Sequence, residues 1–298
     1  KELVDLILHI AKYEKPGVKT DTLHTCYKIN NIIYSSTEGD RIPLRANVLK
    51  ENTWLEEGKP FSSEMLKRTY NSLGKLQAVK YTNIQFKEAG EGLLDCNIRV
   101  SPSTPNSISF QPEGTNTAGD LGAAVSLTYE NRNLFRGSEV FSVKLRGAYE
   151  AITGLEGYQN QNYIEYGIES KILFPSFMCP FLSYDFKRRS YSTTEIGVSY
   201  NLQNRPEFHR RVFSGSVRYR WTDSSQKHQY KVDIIDLNYV YMPWISSTFK
   251  DNYLDNVDNK NVILKYNYED LFIMKIGFGM TYSHKNNAFK INCETGGN

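Results

Sequence analysis

The sequence predicts an α+β unit of order β-α-α-β-β followed by an antiparallel β-barrel that crosses a membrane with strands. Three observations carry this reading. From Ser107 onwards the chain consists of strands, several of ten residues or more, with apolar and polar residues alternating. Their polar faces mix charges of both signs with Gly and Ser, which suits a water-filled lumen. The 21 Tyr and 15 Phe are many for 298 residues, and Tyr239, Tyr241 and Trp244 gather near a strand end, as in the aromatic belts of membrane barrels. A mean hydropathy of −0.52 is compatible with this, because alternating strands average to a hydrophilic score. No run of about 18 apolar residues exists, so a helical membrane span is excluded.

The elements follow in order. ELVDLILHI (2–10) and GLLDCNIRV (92–100) align at a constant offset of 90, with Leu3, Val4, Asp5, Leu8 and Ile10 over Leu93, Leu94, Asp95, Ile98 and Val100. Residues 1–12 therefore read as the last strand of a preceding copy of a small domain. One complete copy occupies 25–101. YKINNIIYSS (27–36) is a strand, and IPLRANVLKEN (42–52) is a short helix with Leu44, Val48 and Leu49 on one face. SEMLKRTYNSLGK (63–75) is a stronger helix, capped by Ser62 or Ser63, striped by Leu66, Tyr70 and Leu73, and closed by Gly74. Strands 79–89 and 93–101 form a hairpin around Gly90 and Gly92. A linker at 102–106 leads into strands only, over 107–298, enough for eight or nine strands with their connections.

In LGAAVSLTYE (121–130) and EVFSVKLRGAYE (139–150) one face is apolar and the other polar, and the turn between them reads NRNLFRGS. If the greasy face meets lipid, this connection sits at the bilayer surface. Leu134 and Phe135 then dip into the interface while the Asn and Arg side chains stay wet. A soluble β-sandwich alternates in the same way and remains an alternative.

The β-α-α-β-β unit resembles a polypeptide-transport-associated (POTRA) domain. EGTNTAGDLGAAVSLTYENRNLFRGSE (113–139) is similar to the first barrel strands of the outer-membrane protein assembly, or bacterial surface antigen, superfamily of BamA/TamA-like proteins. YIEYGIESKILFPSF and VDIIDLNYVYMPWISSTF look most like its TamA-like lipoprotein (TamL) branch of Bacteroidetes. The resemblance spans essentially the whole chain, with one departure. The family barrel has about 16 strands, an Arg-Gly-Phe/Tyr motif on a loop inside the lumen and an aromatic end to its last strand. RGAY (146–149) lies in an early strand instead, so the chain reads as the N-terminal half of such a barrel.

The resemblance implies a factor that inserts or folds outer-membrane proteins, located in the outer membrane of a Gram-negative bacterium with its POTRA domain in the periplasm. The implied partners are outer-membrane lipids, nascent outer-membrane β-barrel proteins, and periplasmic or inner-membrane assembly partners. The implied route is strand addition. Ser107, Ile108, Ser109, Phe110 and Gln111 make a short first strand ended by Pro112, which is tolerated only at an edge or strand end. Such a strand is a seam for a client, and Pro at Ser109 or Gln111 would test it. Lys80, Tyr81, Thr82, Asn83, Ile84, Gln85 and Phe86 form the edge strand that family members expose, a second docking rail. First and third strands are neighbours in such units, so Cys26 and Cys96 approach each other, but Cys26 lies at the strand margin and two free thiols are expected.

Catalysis finds little support. His9, His24, His209, His228 and His284 are scattered without HExxH, GxSxG is missing, and GTNTAGDLG lacks the Lys and helix of a phosphate loop. Glu165, Glu169 and Glu195 read as lumen carboxylates among counter-charges. No metal site or cofactor is expected: the four cysteines lie far apart without ligand spacing. The net charge of +3 gives no footprint for nucleic acid. A passive outer-membrane pore or secretion channel, and an enzyme carried on a barrel, remain the alternatives.

Overall fold

The computed structural model describes residues 26–297 apart from 40, 118–119, 153–160, 224 and 255–266, so the repeat at 1–12 lies outside the described residues. Two sheets organise the chain. In the first, β1 (Lys28–Ser36) runs parallel to β3 (Leu93–Pro102), and β2 (Val79–Gly90) pairs antiparallel on β3's other side, giving the order β1-β3-β2. Gly92 makes the β2–β3 turn possible, with φ of 73°.

Two helices lie between β1 and β2. α1 (Ala46–Glu51) is shorter than the expected 42–52, because Arg45 is still extended and residues 42–45 are engaged elsewhere. α2 (Ser63–Leu73) is capped by Ser62, whose side chain accepts from the Met65 N–H, and its last turn closes where Gly74 N–H donates to the Tyr70 carbonyl. Leu49, Leu73, Ile29, Cys96, Ile98 and Val100 form a dry core between helices and sheet, each side chain at most 2% exposed. Burying each large aliphatic residue contributes about 1.5–3 kcal/mol. Cys26 and Cys96 are both free thiols. The parallel register sets Cys96 opposite Ile32, six residues past Cys26, which is too far for a bridge.

The second sheet has nine strands in sequential order, all neighbours antiparallel. They are β4 (Asn106–Thr117), β5 (Asp120–Asn131), β6 (Val140–Ile152), β7 (Gln161–Phe174), β8 (Tyr191–Asn204), β9 (Phe208–Thr222), β10 (His228–Ile245), β11 (Leu271–His284) and β12 (Asn287–Gly297). Among the described residues the sheet is not closed: β4 and β12 each have a neighbour on one side only. Only Ser103–Pro105 separate β3 from β4, because the third strand of the small domain runs on to Pro102.

Two expectations are corrected here. The first strand does not stop before Pro112; it runs 12 residues through it. Nor are the connections free of helix. α3 (Tyr184–Arg189), capped by Ser183 accepting from the Phe186 N–H, sits between β7 and β8, and α4 (Ser247–Phe249) with a π-turn at Lys250–Leu254 follows β10. None interrupts a strand. Among the described residues no helix is long and apolar enough to cross a membrane.

Alternation places unlike residues on the two faces of this sheet. Leu121, Val125, Leu127, Tyr129, Ile168, Val198, Phe213, Met274 and Phe278 share one face, and all are exposed. Glu195, Arg218, Arg220, Lys231 and Asp233 share the other, where a hollow of about 470 Å³ opens. There Arg218 binds both Glu195 (3.0 Å) and Asp233, Arg220 reaches Glu195 at 3.3 Å, and Lys231 reaches Asp233 at 2.7 Å. Glu169 pairs with Lys171, and Glu165 accepts from Tyr163 and Asn201. Glu169 and Glu195 are thus paired with cations, and Glu165 is held by neutral hydrogen-bond donors.

Candidate functional site

Among the described residues β4 is an edge strand, with β5 as its one neighbouring strand. Ser107, Ile108, Ser109, Phe110 and Gln111 are all exposed, Ile108 and Phe110 at 73% and 65%. Ile108, Phe110 and Pro112 lie opposite Tyr129, Leu127 and Val125 on the apolar face; Ser107, Ser109 and Gln111 lie opposite Glu130, Thr128 and Ser126 on the polar face.

Backbone direction follows from parity. Arg132 N–H donates to the Pro105 carbonyl at 2.8 Å, and the β4–β5 register continues from Asn106 without a bulge. In an antiparallel pair, residues that exchange bonds with the partner alternate with residues that point away. Ser107, Ser109 and Gln111 therefore bond to β5, while Ile108, Phe110, Pro112 and Gly114 direct their backbone groups to the open side. Pro112 is tolerated because the N–H it lacks would have faced no strand. This corrects the expected test: Ser109 and Gln111 have the same parity, and neither faces the seam.

The small domain has two edges of unequal freedom. The outer edge of β1 is covered, for Ile29 N–H donates to Lys59 O, Gly58 N–H to Ile29 O, and Ile32 N–H to the Glu57 carboxylate. Among the described residues β2 has no strand on its outer side, so Lys80, Tyr81, Thr82, Asn83, Ile84, Gln85 and Phe86 lie on an edge. That edge is not wholly free: Ile84 is buried, and its N–H donates to the Tyr70 hydroxyl at 3.0 Å.

Leu134 and Phe135 are exposed, in the β5–β6 connection. The polar residues around them are not simply wet, which corrects the expectation. Asn133 Nδ2 donates to Pro43 O (3.0 Å), Arg45 N–H to Arg136 O (2.9 Å), and Ala78 N–H to Ser138 Oγ (2.9 Å). Glu139, 4% exposed, accepts from Arg45 Nη2 at 3.0 Å and from the N–H groups of Phe135 and Gly137 at 3.1 and 2.9 Å. A Cβ on Gly137 would lie 2.1 Å from a Glu139 oxygen and 2.5 Å from Arg45 Nη2, so glycine lets this ion pair close. Arg136 and Ser138 flank it in the left-handed region, φ 60° and 65°, at about 1 kcal/mol or more each. The bonds to residues 45 and 78 hold that conformation.

A second clasp comes from the β7–β8 connection. Arg188 donates to Thr53 O at 2.7 Å, pairs with Glu56 at 3.5 Å and lies over the Trp54 ring; Lys75 lies over the Tyr191 ring. The small domain is therefore fastened to two strand connections of the sheet. Sequence reading missed Arg45, Ser138, Glu139 and Arg188. One signal was available: the eight residues 132–139 are more than a tight hairpin needs, and their polar groups are too many to leave unpaired.

No family model matches the chain, and no curated protein does. Among solved structures, BamA from Haemophilus ducreyi lacking POTRA domains 1–3 is similar, with a TM-score of 0.55 at 11% identity over 91% of this chain and 48% of that one. CdiB from Acinetobacter baumannii and CdiB from Escherichia coli each match over 91% of this chain, covering 64% and 54% of theirs, at 11% and 10% identity with TM-scores of 0.39. The chain spans about half the length of the BamA chain it matches. The likeness is one of fold: this chain is built as part of BamA is built.

Proposed function

We propose that the chain is part of an outer-membrane β-barrel assembly or translocation factor of the BamA/TamA-like kind, more narrowly of its TamA-like lipoprotein branch. In this reading residues 25–101 are a POTRA domain in the periplasm, the nine-stranded sheet faces lipid, and β4 templates client strands. The observation that carries it is the β4 edge. Its open-side N–H and C=O groups at Ile108 and Phe110 form a rail for another strand. Its side chains sort themselves, apolar residues towards lipid and Ser and Gln towards the lumen, so a nascent barrel strand with the same alternation pairs in one register. Pro112 interrupts the rail, so a client strand is held over a short stretch and can be released. Unpaired backbone in hydrocarbon costs several kcal/mol per group, so this edge pairs either with a strand outside the described residues or with a client. The fold likeness to BamA supports the reading, and the work is done by pairing and unpairing without covalent chemistry.

The test is Phe110→Pro against Phe110→Ala and Ser109→Pro. Phe110→Pro removes an open-side donor and should abolish client insertion with the β4–β5 hairpin intact; Phe110→Ala should change little. Ser109→Pro should instead loosen the hairpin. Cysteines at Ile108 and Phe110 should cross-link to a nascent barrel protein. Absence of such cross-links, with membrane permeability retained, would replace this reading by a passive pore or secretion channel.

A further inference from the structure

The β7–β8 connection, residues 175–190, does more than join two strands. On β8 the outward face carries Ile196, Val198 and Tyr200, each at least 40% exposed. Thr194 and Ser192 belong to the same face by alternation, yet are 1% and 7% exposed. The connection covers them. Thr194 Oγ donates to Ser176 O at 2.7 Å and accepts from Met178 N–H at 3.0 Å. Phe177, 6% exposed, seats its ring 5.6 Å from both Tyr219 and Trp221 on the outward face of β9, with Phe186 stacked on it at 5.9 Å. The connection thus folds back along the outside of the sheet, at the end where the small domain is fastened.

Its far side is apolar and bare. Phe181 is 94% exposed, Met178 53% and Phe186 42%. Met178 lines a hollow of about 360 Å³ with Phe135 of the neighbouring turn, itself 54% exposed, so the ledge runs across two connections. α3 closes on three cations, Lys187, Arg188 and Arg189. Arg188 is committed to Thr53 and Glu56; Arg189 is exposed.

We infer that residues 175–190, with Phe135, form an interfacial binding site for anionic phospholipid headgroups, anchoring the small-domain end of the sheet in the lipid monolayer there. This rests on the reading that the outward face meets lipid. Continuity decides for a lipid occupant. From Phe213 to Trp221 is about 26 Å along the strand, or roughly 20 Å along the normal at a barrel tilt of about 40°. That nearly spans an apolar band about 25 Å tall, so a ledge packed on Tyr219 and Trp221 lies at its border. Aromatic side chains beside Lys and Arg are the composition that border selects.

The test places a single tryptophan at 181 (F181W) in protein whose Trp54, Trp221 and Trp244 are phenylalanine. The protein is reconstituted into phosphatidylcholine vesicles with and without phosphatidylglycerol, using chain-brominated lipids as quenchers. F213W in the same background is the control for the lipid-facing sheet. Both should be quenched. Lys187→Glu with Arg189→Glu should weaken quenching of F181W selectively in the phosphatidylglycerol vesicles, by about fivefold in partitioning per cation. If the Trp-free background fails to fold, Phe181→Cys carrying an environment-sensitive fluorophore, with the native cysteines serine, gives the same readout. F213W quenched with F181W unquenched overturns the inference alone and hands the ledge to a protein partner. F213W unquenched overturns the lipid-facing reading beneath it. Quenching of F181W indifferent to phosphatidylglycerol and to both charge reversals overturns the preference for anionic headgroups.

Discussion

In the small domain Leu73, Ile98 and Val100 are completely buried, whereas in the long sheet Ile108, Leu121 and Phe110 are exposed at 73%, 68% and 65%. The residue kinds are the same and the alternation is the same; the packing partner differs. β1, β2 and β3 turn their apolar face onto α1 and α2 and meet a core there. β4 to β12 leave theirs exposed, and their other face carries paired charges. A soluble sheet would leave that outward face without a partner over far more than the few hundred Å² that a monomer normally exposes. Burial in this molecule is therefore supplied by protein in one region and, on the proposed reading, by lipid in the other.

The largest expected effect breaks the first half of the comparison. Leu73→Ala should destabilise the small domain by about 2–5 kcal/mol through lost transfer energy and a residual cavity. Hydrogen exchange should rise across α2, β2 and β3 while β5 to β9 stay protected. Equal loss in both sheets would mean that the two regions unfold as one unit. Leu127→Arg attacks the second half. Near the middle of a strand that faces lipid on the proposed reading, it should cost about 2–4 kcal/mol in denaturant titrations of the protein folded in vesicles. A change within about 0.5 kcal/mol would mean that water, not lipid, covers this face.

Glu139→Ala sharpens the boundary between the regions. It strands two N–H donors and Arg45, and should cost about 1–3 kcal/mol, read as faster proteolysis within 132–139. Glu139→Gln, which keeps an acceptor oxygen, should fall between wild type and Ala.

The smallest effect concerns thiols. Burial pushes the Cys96 thiol up to about 11. Its folded-state value lies above that of the unfolded chain. Its contribution to stability is therefore full below the unfolded value and lost as pH rises through about 11. At pH 8 an alkylating reagent should modify the exposed Cys26 and Cys293 and spare Cys96. Rapid labelling of Cys96 at that pH would show that the small domain opens on its own.

Much of this was legible where the governing rule is local. Ser62, Gly74 and Gly92 mark α2 and the β2–β3 turn by capping and by backbone freedom, and period two marks β5, β7, β8 and β9. Legibility failed where a neighbour decides. Pro112 reads as a strand end, since proline lacks a donor; only the register with β5 reveals that the missing donor faces the open side. α3 is signalled by Ser183 at its start and Lys187 to Arg189 in its last turn. Six residues, however, give too little periodicity to stand out among long strands.

The amino-acid order alone determined that this chain has two regimes, a helix-bearing unit and then strands with one apolar and one charged face. Helical periodicity, strand alternation and caps act over a few residues and need no partner to be read. The tertiary structure decided which edges stay open, which turn residues are wet and which hold the small domain. It also decided that residues 175–190 lie along the outside of the sheet. Those outcomes depend on pairs such as Arg45 with Glu139, Ala78 with Ser138 and Phe177 with Trp221, separated by 94, 60 and 44 positions in the chain. No local propensity encodes such contacts; they form only when the register of nine strands sets the residues side by side.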